Sequence, residues 1–229
     1  MKDKVKYILQ IPVCDAEKNF NTDCDILGIK FTRENWENEL AAFKNLLPKI
    51  KKPLMLRGCG EDSVDMTLMP QVMEILDREC IIGIANENNY KNIVPAVIKG
   101  GHKLIIRTPI DINLAKEMNI LTSDMGLGLD KILIDTDIGG LGYGFEYGYS
   151  IMEKIKLEGT CSDNKQGDKY LNMPLISFAP EETAKTKEAK DENLALYLEI
   201  ASAAGVLAAG ADYIVMTKQQ AVNVMKGLV

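Results

Sequence analysis

Eight short apolar runs, spaced along the whole chain, constrain the fold more than any other feature. They are Lys6–Pro12, Asp25–Phe31, Pro53–Arg57, Cys80–Ala85, Lys103–Arg107, Lys131–Asp135, Pro174–Phe178 and Asp212–Met216. Each is apolar along most of its length, the pattern of strands buried on both faces. Helix-period stripes lie between them. Trp36, Leu40, Phe43 and Leu47 mark one within Arg33–Lys49, and Met66, Met69, Val72, Met73 and Leu76 mark another within Val64–Leu76. Further helices are expected over Asn89–Lys99, Asp111–Asn119, Tyr143–Leu157, Glu181–Ala209 and Gln219–Leu228. Pro95 should kink its helix or delay its start. The segment Glu181–Ala209 changes from charged to small and apolar, so a break is expected near Lys190–Asn193.

Strands alternating with helices predict a parallel sheet, and eight such units in 229 residues predict one TIM-type (β/α)8 barrel domain over residues 1–229. An open doubly wound sheet is the alternative. One unit is defective. Only Val13–Cys24 joins the first two strands, with no helical stripe, so the first helix should be short or missing. The barrel is expected to be open there, or covered by a partner.

Composition removes several classes of function. A net charge of −6 argues against nucleic acid as the partner. No apolar run reaches the roughly 18 residues of a membrane helix. The segment Tyr7–Val13 is too short for a signal peptide, so a cytoplasmic location is expected. The cysteines Cys14, Cys24, Cys59, Cys80 and Cys161 are scattered with no Cys-x-x-Cys, which fits reduced thiols and no iron–sulfur cluster. Cys59 follows a strand and is the candidate nucleophile among them, against a plain structural thiol.

In a parallel barrel the residues after each strand share one face, where sites form. The longest such stretch is Asp135-Thr-Asp137-Ile-Gly139-Gly140-Leu-Gly142-Tyr143-Gly144, two carboxylates followed by four glycines. It reads as the lip of a site or as a tight strand-to-helix turn. The other rim segments contain Lys30 and Thr32, Gly58-Cys59-Gly60, Asn86 to Asn89, Thr108 to Asn113, Ser177 and Glu181, and Thr217 and Lys218. This rim is rich in Asn, Asp and Gly and nearly bare of positive charge. It suits a neutral, polar, flat ligand and suits a phosphate poorly. Acid–base candidates are Glu87, Asp111 and Asp135, although Asp111 serves equally as a helix cap. The single histidine, His102, precedes the fifth strand and falls at the opposite end. Triad chemistry and histidine-based zinc sites are thereby excluded from the rim. A carboxylate-only divalent site at Asp135, Asp137 and Glu87 is the remaining metal option, and no metal is assigned.

Several of these segments resemble one family at matching spacing. They are Leu54-Met-Leu-Arg57-Gly58-Cys59-Gly60, Gly83-Ile-Ala-Asn86-Glu87-Asn-Asn89-Tyr90, Thr108-Pro109-Ile-Asp111-Ile-Asn113-Leu114-Ala115-Lys116 and Leu141-Gly142-Tyr143-Gly144-Phe-Glu146-Tyr147, continued by Pro174–Phe178 and Ala209–Met216. Together, from about Asp25 onward, they are similar to the delta subunit of the acetyl-CoA synthase/carbon monoxide dehydrogenase complex, the small subunit of the corrinoid iron–sulfur protein. The resemblance implies a barrel related to pterin-binding methyltransferases. It also implies a partner subunit carrying a corrinoid (cobalamin), and a role sheltering that corrinoid during methyl transfer in the Wood–Ljungdahl pathway. The rim positions it would place against the cofactor are Gly58, Cys59, Gly60, Asn86, Asn89, Thr108, Asn113, Asp137, Gly140, Gly142, Tyr143 and Gly144. The chain departs from the family in a shorter N-terminal region and in the segment Asp135–Gly140, as a shortened paralogue would.

Two enzymatic readings compete with a non-catalytic subunit. A pterin-dependent methyltransferase would hold the ring with Asn86, Asn113 and Asp135. A lyase or aldolase would use a Schiff-base lysine at Lys30 or Lys218. Self-association is a further option for the partner.

Overall fold

A computed structural model describes residues 5–160 and 167–228. All eight apolar runs form strands: β1 (Lys6–Pro12), β2 (Ile26–Lys30), β3 (Leu54–Arg57), β4 (Ile81–Ala85), β5 (Lys103–Arg107), β6 (Ile132–Asp135), β7 (Leu175–Ser177) and β8 (Tyr213–Met216). They pair in parallel, each with the next, and close into a barrel in sequence order. β1 pairs with β2 (Ile8 beside Ile26) and with β8 (Lys6 beside Tyr213). The sheet is therefore closed at the first seam, which corrects the expectation of an open barrel there.

Successive strand residues point to opposite faces. Ile8, Ile26, Met55, Ile81, Ile105, Leu133, Ile176 and Val215 pack together inside the barrel. Their neighbours Leu9, Leu27, Leu56, Ile82, Ile106, Ile134, Leu175 and Ile214 pack outward against the helices. Both faces are apolar because both are buried, which is why the runs show no alternation in sequence.

The helices are α1 (Ala16–Asn19), α2 (Trp36–Leu46), α3 (Asp62–Glu74), α4 (Tyr90–Gly100), α5 (Ile112–Asp124), α6 (Phe145–Gly159), α7 (Ala179–Thr183), α8 (Glu192–Ala208) and α9 (Gln219–Leu228). The first unit holds only a 3-10 turn at Val13–Asp15 and the four-residue α1, as its missing stripe predicts. The expected break after β7 is a separation of α7 from α8 by the 3-10 turn Lys187–Lys190. α8 then starts on Asp191, whose carboxylate accepts from Leu194 N. Pro95 lies inside α4, which starts at Tyr90, so it does not delay the helix. α6 starts two residues later than expected and leaves Tyr143 in the preceding turn.

Small residues let α6 sit close to the loop that feeds it. A Cβ on Gly148 would lie 2.6 Å from Ile138 Cβ and 2.8 Å from Ile138 Cα. Gly148→Ala should therefore push α6 off that loop, at about 1–3 kcal/mol. The check is the urea midpoint, which should fall with an unchanged slope.

The described cysteines Cys14, Cys24, Cys59 and Cys80 are free thiols, and Cys161 lies outside the described residues. Burial pushes the Cys80 thiol up to about 12. Among the described residues no helix is long and apolar enough to cross a membrane.

Candidate functional site

The alternation that fills the barrel also decides what stands at its mouth. Two residues on from the inward Ile8, Met55, Ile105, Leu133 and Ile176 come Gln10, Arg57, Arg107, Asp135 and Phe178. Four residues on from the inward Ile26 comes Lys30. These side chains form the top interior layer. Phe178 is its centre. The Arg57 guanidinium carbon lies 4.6 Å from the ring centroid and that of Arg107 lies 5.4 Å from it.

Each arginine is held by acids. Arg57 pairs with Glu181, which also takes Lys30 Nζ at 2.6 Å. Arg107 donates through Nε to Asp135 at 2.7 Å and pairs through Nη1 with Asp137 at 3.0 Å. Burial alone would raise the Glu181 carboxyl, but the Arg57 charge and the Lys30 contact outweigh it and hold its pKa down at about 2. Asp137 goes the other way: burial raises it, and the neighbouring Asp135 charge adds to the rise against the pull of Arg107. Arg107 is raised: burial opposes its charge, and Asp135 and Asp137 more than compensate.

This layer corrects the expectation that the rim is nearly bare of positive charge. Arg57 and Arg107 end their strands, so a count of loop residues passes over them. The parity of each strand carries the missing signal.

Around this plug, acids reach back from the helices to fix the loops. Glu39 accepts from Thr32 N at 2.7 Å, Asp65 from Cys59 N at 2.8 Å and Gly60 N at 2.9 Å, and Glu199 from Thr217 N at 2.7 Å and Lys218 N at 2.9 Å. The Asp65 carboxylate lies against Gly58 with no room for a Cβ, so that glycine serves the loop lock. The Cys59 thiol donates to Asp65 Oδ1 at 3.3 Å, and burial raises its pKa, the opposite of an activated nucleophile. Lys30 and Lys218 are both turned to carboxylates, Lys218 to Glu199 at 3.6 Å.

The amide cluster lies beside Arg57 and Arg107. Asn86 and Asn89 both donate to Asp62 Oδ1 at 2.8 Å, and Asn88 donates to Oδ2 at 3.1 Å. The hollow that Asn86 and Asn89 share with Gly58 and Gly60 measures about 60 Å³. That is room for about two waters. Thr108 is buried next in order, its Oγ1 without a partner among the described residues.

Of the acid–base candidates, only Asp135 belongs to the central layer, fully buried and accepting from Asp137 N at 3.0 Å. Asp111 is exposed and caps α5, accepting from Asn113 N at 2.8 Å and Leu114 N at 3.2 Å. Glu87 is exposed on the loop before α4. Asn113 is exposed in the first turn of α5, so Asn86, Asn113 and Asp135 do not line one pocket. Among the described residues no three His, Cys, Asp or Glu side chains converge as a metal site.

The glycine stretch packs to the other side. A Cβ on Gly140 would lie 3.1 Å from Thr183 Cα, so the glycine lets this loop rest on α7. Gly142 has φ +78° and Gly144 φ +93°, conformations that favour glycine. Tyr143 is exposed between them and donates to Glu188 at 3.0 Å. Asp137 has φ +53°, and so does its neighbour across the loops, Ile110, at +48°. Ile110 N donates to Thr136 O at 3.0 Å, tying the two bends together. His102 is buried at the far end, accepting at Nδ1 from Cys80 N at 3.3 Å. Burial lowers its pKa.

The fold is similar to that of dihydropteroate synthases. The enzyme from Coxiella burnetii in complex with pteroic acid superposes with a TM-score of 0.66 and 15% identity, over 100% of this chain and 93% of that one. The Xanthomonas albilineans enzyme in complex with 7,8-dihydropteroate gives 0.68 and 11%, over 99% and 94%. At this identity the likeness shows the barrel alone.

Curated relatives are similar at the level of sequence. The acetyl-CoA decarbonylase/synthase complex subunit delta of Methanopyrus kandleri is 27% identical over 62% of this chain and 34% of its own length. Subunit delta 1 of Methanosarcina thermophila is 29% identical over 77% of this chain and 42% of its own. The chain thus matches less than half the length of these relatives. Residues 12–228 match the family described as the CO dehydrogenase/acetyl-CoA synthase delta subunit, a match that takes in β1's end and the first seam as well as the segments from Asp25 on. This chain is a member of the CO dehydrogenase/acetyl-CoA synthase delta subunit family.

Proposed function

We propose that the chain is a non-catalytic barrel subunit of a methyl-transfer complex in acetyl-CoA metabolism, whose rim shelters a corrinoid held by a partner chain. The observation that carries this reading is the filled mouth. Phe178, Arg57 and Arg107 occupy the barrel axis, and their charges are already matched by Glu181, Asp135 and Asp137. A flat bicyclic ring has no axial pocket to enter, and the 60 Å³ hollow beside it is too small. On this reading a larger ligand lies across the rim, over the plug.

The residues present fit a corrinoid in that position. A corrin ring is broad and carries neutral amide arms at its edge. The rim offers the exposed side-chain amide of Asn88 and open backbone at Gly60 and Gly142. Exposed Tyr143 and Tyr147 add flat apolar surface at the glycine stretch. No histidine reaches the rim, so the cobalt ligand must come from elsewhere. When bound, the corrinoid supplies a cobalt that carries the methyl group. This chain's residues orient it and exclude water from it.

The test is an absorbance titration with hydroxocobalamin, alone and with a corrinoid protein recovered by pull-down from the native host. A spectral shift that needs both chains supports the reading. Recovery of no corrinoid protein counts against it. Calorimetry with millimolar methyltetrahydrofolate should show no heat, and binding there would favour a pterin-dependent methyltransferase instead.

A further inference from the structure

One helix of the barrel wall has no charged side. Between Asn193 and Ala208, α8 holds a single charged residue, Glu199, which is 1% exposed and turned inward to Thr217 and Lys218. Its inner face is buried at Ala195, Ala203 and Val206. Its outer face is apolar as well. Leu194, Tyr197, Ala201, Ala204 and Ala208 are all exposed, at alternating steps of three and four residues. That spacing sets them on one stripe along the helix. Leu194 is 40% exposed and Tyr197 66%. A helix that is apolar all round is ordinarily covered on every side.

The surface continues onto α9, which packs beside α8. The one charge in α9, Lys226, donates to Asp23 Oδ1 at 2.5 Å. Helical period puts Val224 and Leu228 on the opposite flank, toward α8, and both are exposed. Other helices of the wall expose charge instead: Glu37 and Lys44 on α2, Lys116 and Glu117 on α5, Glu153 and Lys154 on α6. At 1.5 Å per residue α8 is about 25 Å long, and α9 lies roughly 10 Å to its side. The uncharged face then spans roughly 500 Å², so two such faces bury on the order of 1,000 Å², enough for a specific interface.

The stripe is complementary to itself. Its large residues stand at one end and its small ones at the other. Two copies laid antiparallel about a two-fold axis at Ala201 bring Leu194 of one onto Ala208 of the other, and Tyr197 onto Ala204. Large meets small along the seam, and alanine at the axis lets the helices approach to about 8 Å. A two-fold interface requires this reciprocity. The ends agree in charge. Exposed Glu192 comes opposite Gly210 of the other copy, and a Cβ on Gly210 would lie 3.2 Å from Lys156 Cγ, so acid and lysine meet at the edge.

We propose that α8 and α9 form a homodimer interface, with two copies of this chain paired antiparallel about Ala201. The two barrel mouths then open in opposite directions. Each rim is left free, so the pairing is independent of what the mouth holds.

Sedimentation velocity of the full chain at roughly 100 μM tests this, and should show a particle of about twice the 25.4 kDa of one chain. Ala201→Glu sets two like charges on the axis and should weaken the dimer at least about 100-fold. It should leave the circular dichroism of the chain unchanged, since Ala201 is exposed in the single chain. Lys44→Gln, an exposed change on α2, should leave the dimer intact. Ala201→Cys, oxidised by air with copper phenanthroline, should link two chains, against the unaltered protein with its exposed Cys14 as control. A monomer at that concentration overturns the proposal. So does a dimer that survives Ala201→Glu, and so does a dimer in which Ala201→Cys gives no more linkage than the control. The linkage measurement needs no disruptive variant, so it decides the matter even if Ala201→Glu fails to fold.

Discussion

Glu181→Gln should lower the stability of the barrel by about 3 kcal/mol at neutral pH, and the loss should vanish in acid. Glu181 is buried and is the counter-charge for both Lys30 and Arg57. Its pKa falls from 4.5 to about 2 on folding. A depressed carboxylate contributes stability above its unfolded pKa and loses it as pH falls through the folded one. The window is therefore between about pH 4.5 and pH 2. A shift of that size corresponds to about 3 kcal/mol at about 1.4 kcal/mol per unit. Glutamine keeps the shape and removes the charge, leaving two cations at the mouth without their shared partner, the costly way to break a buried pair. For a domain of this size the melting temperature should fall by roughly 6–12 °C at pH 7. Thermal melts from pH 7 down to pH 2 provide the check. The two proteins should converge toward the acid end, and parallel curves would show that Glu181 carries no linked proton.

Much of this molecule is legible in the sequence, and what is not follows a pattern. The eight strands stand out because both of their faces are buried, so burial and composition coincide. The short first helix is legible as a missing stripe, and the glycine stretch is legible as a loop but not as to whether it packs or binds. The rim is half legible. Counting residues after each strand finds Asn86, Asn89, Gly58 and Asp135 but passes over Arg57 and Arg107, which strand register and side-chain direction place in the interior layer. Reading each strand two residues beyond its inward apolar position would have found both. Asn113 shows the opposite failure. It follows a strand in sequence, but the Pro109-Ile110 bend and the Asp111 cap carry it onto the first turn of a helix, where its side chain meets solvent. Pairings such as Arg57 with Glu181 join residues far apart in the chain, and no local pattern announces them.

Phe178→Ala tests whether the mouth is closed by this ring. The side chain is 1% exposed, belongs to the interior cluster and lies against the two guanidinium groups. Removing a buried phenylalanine costs about 3–5 kcal/mol through lost burial and the cavity left behind. The melting temperature should fall by roughly 6–20 °C. Here the cavity would open within reach of two arginines, a setting that favours a flat aromatic guest. Indole or a simple pterin at millimolar concentration should therefore raise the melting temperature of the variant and leave the unaltered protein unchanged. Phe178→Leu, which keeps most of the plug, should show a smaller loss and no such rescue. The contrast separates a closing ring from a general core residue, because an ordinary core truncation loses stability without gaining an axial guest. Equal response of the unaltered protein and the alanine variant would mean that the axis is already open to flat ligands, and the case for a ligand lying across the rim would lose its main support.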